Sequence, residues 1–207
     1  MPRAVIALVL LFAPFAYAES ELVQRQSPLF DELSMRPYFD VRTYSKMLLE
    51  APDIEYGPTS EPLSGEQQQW LKQTVDAAFR DELATSKYFK PAKGPGPDVL
   101  LVKVQLKDVV SFAKPGAPID QAKALADVGE ATLVLELFDS LSKSITARAT
   151  ARVKAERTPD DRTATSQPDN RAVVERAARE WAKRVRERLD EIGSVALNPG
   201  KPGKAAG

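Results

Sequence analysis

Residues 129–153 decide the fold, and they read GEATLVLELFDSLSKSITARATARV. Apolar residues alternate with polar ones on both sides of the central Asp-Ser turn, at Ala131, Leu133, Leu135 and Leu137 and again at Ala147, Ala149, Ala151 and Val153. A period of two buries one face of a strand and leaves the other in solvent. The stretch therefore predicts two strands, over 129–139 and 145–153, that pair as an antiparallel hairpin. The small alanines of the second strand leave room for a bulky neighbour, and a helix carrying Trp or Phe is the expected one.

Two further strands are predicted on the N-terminal side of this hairpin. Asp98 to Phe112 alternates strongly after the break Gly94-Pro-Gly-Pro97. Another apolar run predicts a strand from about Ser45 to Ala51 that resumes toward Tyr56. Pro52 interrupts this run, and proline within a strand favours an edge position or a bulge.

Two amphipathic helices complete the pattern. Ser64-Gly-Glu-Gln67 fits a capping box, in which the Ser and Gln side chains each satisfy a free backbone N–H. The first helix is predicted to run from this box to about Ser86. The last helix is predicted to begin after a cap at Asp169 or Asn170 and to end at Gly193.

The order of elements is strand, helix, strand, strand, strand, helix. The economical packing for this β-α-β-β-β-α order places two amphipathic helices on one face of a mainly antiparallel sheet. The sequence therefore predicts an α+β fold with two layers. The expected organisation is a signal peptide (1–18), an irregular lead-in (19–43), a single α+β domain (44–193) and a disordered tail (194–207).

The N-terminus has the layout of a secretory signal peptide. Arg3 precedes an apolar run from Ala4 to Phe15, and Ala16-Tyr-Ala18 presents small residues at the two positions that a signal peptidase reads. We expect cleavage after Ala18 and secretion of the rest of the chain. An uncleaved anchor is the alternative, but a spanning helix needs about 20 apolar residues, and this run is shorter and contains a proline. No later segment approaches that length, so no transmembrane segment is expected after cleavage.

The composition excludes several classes of active site. The chain has no Cys and no His, which rules out a disulfide scaffold, a Ser-His-Asp triad and a Cys/His zinc centre. Lys plus Arg and Asp plus Glu both number 29, and this balance argues against a general nucleic-acid binder.

Two motifs resemble parts of active sites but have simpler interpretations. Ser140-Leu-Ser-Lys143 and Ser111-Phe-Ala-Lys114 match a nucleophile–lysine spacing, yet both lie at strand ends and are interpreted as turn residues. The carboxylate pairs Asp160-Asp161 and Asp190-Glu191 are expected on a mobile loop and on a solvated helix face. No catalytic residue, cofactor site or metal site is therefore predicted, and we expect that the protein is not an enzyme.

Three stretches carry a resemblance to a known family. They are Tyr44 to Tyr56, Gly94 to Asp108, and Gly129 to Ser140 with its Asp-Ser turn. Together they span roughly residues 44–156 and resemble the bacterial envelope family catalogued as domain of unknown function 3313. Most members of that family are lipoproteins, whereas this chain has no Cys to carry a lipid. The resemblance implies an envelope location and this kind of fold, and it implies no activity.

Two surfaces are candidates for binding a partner. Arg36, Tyr38 and Phe39 join a cation to two aromatic rings, which is typical of interface anchors, although packing of the lead-in over the domain explains them equally well. Val134 and Phe138 lie on the face of their strand opposite its leucines. That partly apolar face is either covered by the lead-in or available for contact.

These features lead to two hypotheses. The first is a secreted, periplasmic, non-enzymatic accessory of a bacterial cell-envelope complex that binds an envelope protein. The alternative is a carrier of a small apolar ligand such as a lipid, held in a cavity between the alanine-rich strand and the helices. Neither hypothesis involves nucleic acid or a cofactor.

Overall fold

The computed structural model describes residues 22–56, 62–111, 127–156 and 170–195. The described strands are β1 (Val23–Arg25), β2 (Glu32–Met35), β3 (Lys46–Leu49), β4 (Asp53–Glu55), β5 (Lys90–Pro91), β6 (Val99–Ser111), β7 (Asp127–Asp139) and β8 (Ile145–Glu156). The described helices are α1 (Gly65–Ala84) and α2 (Asn170–Val195), and a short 3-10 turn covers Val41–Thr43. The eight strands form one sheet along which the order is β1-β2-β8-β7-β6-β3-β5, with β4 also paired to β6.

The predicted hairpin forms the centre of this sheet. β7 and β8 pair antiparallel with Leu133 opposite Ala151 and Leu135 opposite Ala149. β6 pairs antiparallel with the other side of β7. The leucines and alanines of the alternating pattern lie on one face, so the predicted α+β fold with two layers is confirmed.

The sheet is mixed, because one of its edges is parallel. β3 and β4 both pair parallel with β6, and β5 pairs parallel with β3. α1 lies between β4 and β5 in the chain, and a helical connection of this kind returns the chain in the same direction as it left. Buried Pro52 separates β3 from β4, where the sequence predicts an interruption.

Both helices pack on the leucine-and-alanine face of the sheet. The capping box forms as predicted, since the Gln67 N–H donates to Ser64 Oγ (3.3 Å) and the Ser64 N–H donates to Gln67 Oε1 (2.9 Å). Both helices contribute apolar residues to one core cluster with β6, β7 and β8, and the largest fully buried side chains among the described residues are Phe79 and Phe89.

The predicted irregular lead-in differs from what the structure shows. Residues 22–35 contain β1 and β2, and β2 pairs antiparallel with β8, placing Leu33 opposite Ala149 and Met35 opposite Ala147. These strands have only three and four residues, which is too short for an alternating pattern to stand out. The open edge of β8 orders them, because its free backbone groups need partners.

The C-terminal end of α2 also differs from the prediction. The helix continues through Gly193 to Val195, and Gly193 is buried against Tyr88. Asp190, which was expected on a solvated face, is 7% exposed and accepts a hydrogen bond from Ser86 Oγ at 2.5 Å. Both residues contact the segment that follows α1. The periodicity of α2 shows which residues share a face, but it does not show that this segment packs there.

Several predicted features lie outside the described residues. They are the signal peptide with its cleavage after Ala18, the pair Asp160-Asp161, Lys114 and Phe112, and the tail beyond Val195.

Candidate binding groove

The sheet is wider than the helical layer that covers it. Seven strands side by side span roughly 30 Å, whereas two packed helices cover about 20 Å. α1 and α2 pack against each other; α1 contacts β3, β4 and β5, and α2 contacts β7 and β8, while among the described elements neither helix contacts β2. The β8–β2 edge is left partly uncovered, and two adjoining cavities lie there between α2 and the sheet. We call these two cavities together the groove.

The first part of the groove is an apolar cavity of about 600 Å³. Its floor is made by the strands, with Leu33, Met35, Leu137, Ala147 and Ala149. Leu189 and Ile192 of α2 form one wall, and the segment from Tyr38 to Arg42 forms the mouth. The charged groups at the mouth pair with each other, Asp40 with Arg42 and Arg188 with Glu191.

The second part is a cavity of about 610 Å³, which we call the basic cavity. Its floor includes Ala151 and Val153 of β8, and Trp181 of α2 lines it. Its charged lining residues are Arg152, Lys154, Glu156, Arg176, Glu180 and Arg184. Four cations thus face two carboxylates. Phe30 and Val185 line both cavities, so the two adjoin there.

The mouth segment presents one aromatic ring to solvent. Tyr38 is fully exposed and has a left-handed backbone with φ of 63°. Phe39 beside it is partly buried against the core. The Arg36 N–H donates to the Thr146 carbonyl at 2.8 Å, which ties the segment to β8.

Further hydrogen bonds hold the C-terminal side of the mouth segment. The hydrogen bond from the Arg42 side chain lowers the pKa of Asp40, and the Arg42 Nε lies 2.6 Å from Asp40 Oδ1. Tyr44 OH donates to Asp139 Oδ2 at 3.1 Å. Burial, followed by the nearby Asp139 charge, raises the pKa of Tyr44, so this phenol stays protonated as a donor.

The five predicted contact residues lie on two opposite faces of the sheet. Arg36, Tyr38 and Phe39 are at the groove side, and Tyr38 and Phe39 line the apolar cavity. Val134 and Phe138 lie on the outer face, away from the helices. Val134 is only 5% exposed, between Gln105 and Thr150 on the adjacent strands.

The outer face of the sheet is dominated by ion pairs. Lys103 pairs with Glu50 (2.7 Å), Lys107 with Glu55 (2.8 Å) and Arg148 with Glu136 (2.8 Å). Lys103 Nζ also lies 5.3 Å from the centre of the half-buried Phe138 ring. Of the two outer-face candidates, Phe138 therefore offers the accessible apolar surface.

The sequence predicted contact residues at the mouth of the groove, but it did not predict most of the residues that line its walls. The row of alanines on β8 signals an unfilled space, and Trp181 and Phe30 fill only part of it. Leu33, Met35 and Ile192 line the remainder. The sequence showed the apolar character of all three, but their common location depends on the pairing of β2 with β8.

The serine–lysine spacing at the hairpin has a structural role. Ser140 is 1% exposed, and its Oγ donates to the Gly96 carbonyl (2.9 Å) and accepts from the Gly96 N–H (3.0 Å). Lys143 is exposed in the turn with φ of 57°. Within the described ranges no group of three acidic residues is placed to hold a metal ion.

The part of the chain that the structure describes contains no helix both long and apolar enough to cross a lipid bilayer.

A family model described as "Protein of unknown function (DUF3313)" matches residues 15–185. No curated protein matches the sequence.

Several solved structures are similar in fold at low identity. A Xanthomonas campestris protein assigned to the family model DUF330 is 15% identical, with 74% of this chain and 88% of that chain covered and a TM-score of 0.42. PelC from Paraburkholderia phytofirmans, crystallised as a dodecamer, is 8% identical, with 74% and 94% covered and a TM-score of 0.37. A hypothetical protein from Chlamydia trachomatis is 10% identical, with 70% and 98% covered and a TM-score of 0.41. Likenesses at this level do not indicate a shared function.

Proposed function

The chain belongs to the protein family of unknown function DUF3313, and on this premise we propose that it is a non-enzymatic accessory protein of a bacterial cell-envelope complex. In this proposal the signal peptide directs the chain to the periplasm, where it binds an envelope protein. The observation that carries the proposal is the fully exposed Tyr38 at the mouth of the groove.

The conformation of Tyr38 supports a binding role. A left-handed backbone costs a residue other than glycine about 1–2 kcal/mol. Tyr38 buries no surface within the described chain in return for this cost. Strained residues persist where a function requires them, and tyrosine is among the residues that contribute most to interfaces.

The placement of the mouth segment makes a defined contact surface. Its anchors are the Arg36 hydrogen bond to β8, the Asp40–Arg42 pair and the Tyr44–Asp139 hydrogen bond. A partner that contacts Tyr38 would therefore meet a surface that is already ordered, which lowers the entropy lost on binding.

A substitution at Tyr38 tests the proposal. We expect Tyr38→Ala to remove one specific envelope protein from the set cross-linked to the protein in cells. The free energy of unfolding should stay within about 0.5 kcal/mol of wild type, because the side chain is exposed. Tyr38→Phe is the matched control, and it should retain the partner because it keeps the ring.

A partner that binds the outer face of the sheet, instead of the mouth of the groove, would give the opposite result in this experiment. If Phe138→Ala removes the partner and Tyr38→Ala does not, the contact surface is the ion-paired face of the sheet. Phe138→Ala is the better single change on that face, since Val134 is buried.

A second candidate function is a carrier of a small apolar ligand. It is favoured by the apolar cavity, whose volume of about 600 Å³ lies within the range of ~300–1,000 Å³ that is typical of ligand sites. Native mass spectrometry of freshly isolated protein tests it. A bound mass that disappears on denaturation supports the carrier, and a bare polypeptide from correctly exported material contradicts it.

A further inference from the structure

We propose that the groove binds a single-chain lipid with an anionic head group, with the chain in the apolar cavity and the head in the basic cavity. This inference rests on the carrier function named above and adds the chemical class and the orientation of the ligand.

The charge distribution along the groove sets the orientation. The basic cavity is lined by four cations and two carboxylates, and Glu130 pairs with Arg152 (3.9 Å) and Lys154 (4.0 Å), so a net excess of one positive charge remains there. At the mouth of the apolar cavity, Asp40 pairs with Arg42 and Arg188 pairs with Glu191, so the charges there cancel. An anionic head is therefore attracted to one end of the groove and not to the other.

Arg184 is the cation best placed to receive the head. It is exposed on α2 and lines the basic cavity, and no carboxylate of the described ranges forms an ion pair with it. Its guanidinium can present two parallel N–H donors to an oxyanion, which gives both strength and direction.

The chain of the lipid would follow the strands. From the shared residues Phe30 and Val185, the apolar cavity continues over Ala149 and Ala147 toward Leu137 and Ile192. The absence of side chains beyond Cβ at these alanines gives the groove its depth. Burial of methylene groups there contributes about 0.8 kcal/mol for each CH₂.

Two probes of equal chain length and two charge-reversal variants test the proposal. The probes are dodecanoate and dodecanol, measured by isothermal titration below their aggregation concentrations. We expect wild type to bind dodecanoate about tenfold more tightly than dodecanol, as one charge-assisted contact predicts. Arg184→Glu should remove this preference while leaving dodecanol binding unchanged. Lys183→Glu is the matched control, because Lys183 is the exposed neighbour of Arg184 and does not line the groove.

A variant that fills the apolar cavity tests the position of the chain. Ala149→Phe should abolish binding of both probes, with thermal unfolding recorded to confirm that it folds. If it does not fold, the smaller change Ala147→Leu takes its place, with at least a tenfold loss of affinity expected.

The outcomes separate this inference from the carrier function. Equal binding of the two probes, or an unchanged preference in Arg184→Glu, overturns the anionic ligand and leaves the carrier standing. Binding that survives in a folded cavity-filling variant overturns the position of the chain. No binding of either probe by wild type overturns both the inference and the carrier function.

Discussion

Gly193 illustrates how a single residue can have a different role from the one its type suggests. Glycine near the end of a helical pattern usually terminates the helix. Here α2 passes through Gly193, and a Cβ at this position would lie 2.9 Å from Tyr88 Cγ and 3.1 Å from Tyr88 Cβ. These Tyr88 atoms are close to the main chain, so they cannot move aside without moving the backbone. The glycine allows α2 to approach the segment that follows α1.

We predict that Gly193→Ala destabilises the protein by about 1–3 kcal/mol, as overpacking does. The substitution would raise the helix propensity of α2 by about 1 kcal/mol, so a net loss of stability can come only from the clash. Urea denaturation measures the change.

Gly65→Ala is the matched control for this prediction. Gly65 begins α1, and no atom lies within 4 Å of a Cβ placed there. Its stability should be equal to or slightly above that of wild type. If Gly193→Ala is as stable as this control, the close approach to Tyr88 does not constrain α2.

At the scale of the element, the turn between β7 and β8 is organised by one carboxylate. Asp139 Oδ1 accepts hydrogen bonds from the Ser142 N–H (2.7 Å), the Ser142 hydroxyl (2.9 Å) and the Leu141 N–H (3.1 Å). These bonds, with that of the Ser142 N–H foremost, lower the pKa of Asp139 below 3.8, although burial opposes the change. The same side chain also receives the Tyr44 hydroxyl, so it connects the turn to the mouth segment.

Asp139→Asn should lower the free energy of unfolding at pH 7 by about 1–2 kcal/mol, because charged acceptors make stronger hydrogen bonds. The pKa of Asp139 is lower in the folded than in the unfolded chain. Its contribution is therefore complete above the unfolded value of 3.8 and is lost as the pH falls through the folded value.

Denaturation of wild type and variant between pH 7 and pH 2 measures this contribution. The difference between the two proteins should be constant down to about pH 4 and should decrease below it. Glu136→Gln serves as the control, since Glu136 makes an exposed ion pair with Arg148 and should contribute little. A difference that stays constant to pH 2 would contradict the role of the Asp139 charge.

At the scale of the whole molecule, the N-terminal strands complete the sheet. The Asp31 N–H donates to the Thr150 carbonyl at 2.9 Å, and Asp31 Oδ2 accepts from the Arg152 N–H at 2.7 Å. β8 has 12 residues. Without β2 its outer edge would present a long row of free backbone groups, which is a template for pairing with other chains.

We predict that a chain starting at Arg36 is less stable by at least about 2 kcal/mol, through loss of the apolar burial of Leu33 and Met35, and that it self-associates. A chain starting at Leu22 is the control, because it keeps both strands. Urea denaturation and sedimentation velocity measure the two effects. A truncated chain that is monomeric and as stable as the control would show that β2 is dispensable.

The groove was only partly predictable from the sequence. The aromatic pair Tyr38-Phe39 and the alanines of β8 stand out as local composition. Arg184 is one of several similar cations on α2, and like Arg176 it lines the basic cavity, a position that the sequence does not indicate. Its neighbour Lys183 has the same charge and a different environment.

The sequence by itself determined the central hairpin, the strand β6, the capped start of α1 and the amphipathic face of α2. Each of these depends on residues a few positions apart, whose alternation, spacing or capping chemistry acts locally. The tertiary structure alone decided the pairing of β2 with β8, the parallel edge at β3 and the passage of α2 through Gly193. It also decided the groove, because a gap at the edge of a sheet depends on how many strands pair and how many helices cover them, and these contacts join residues far apart in the chain.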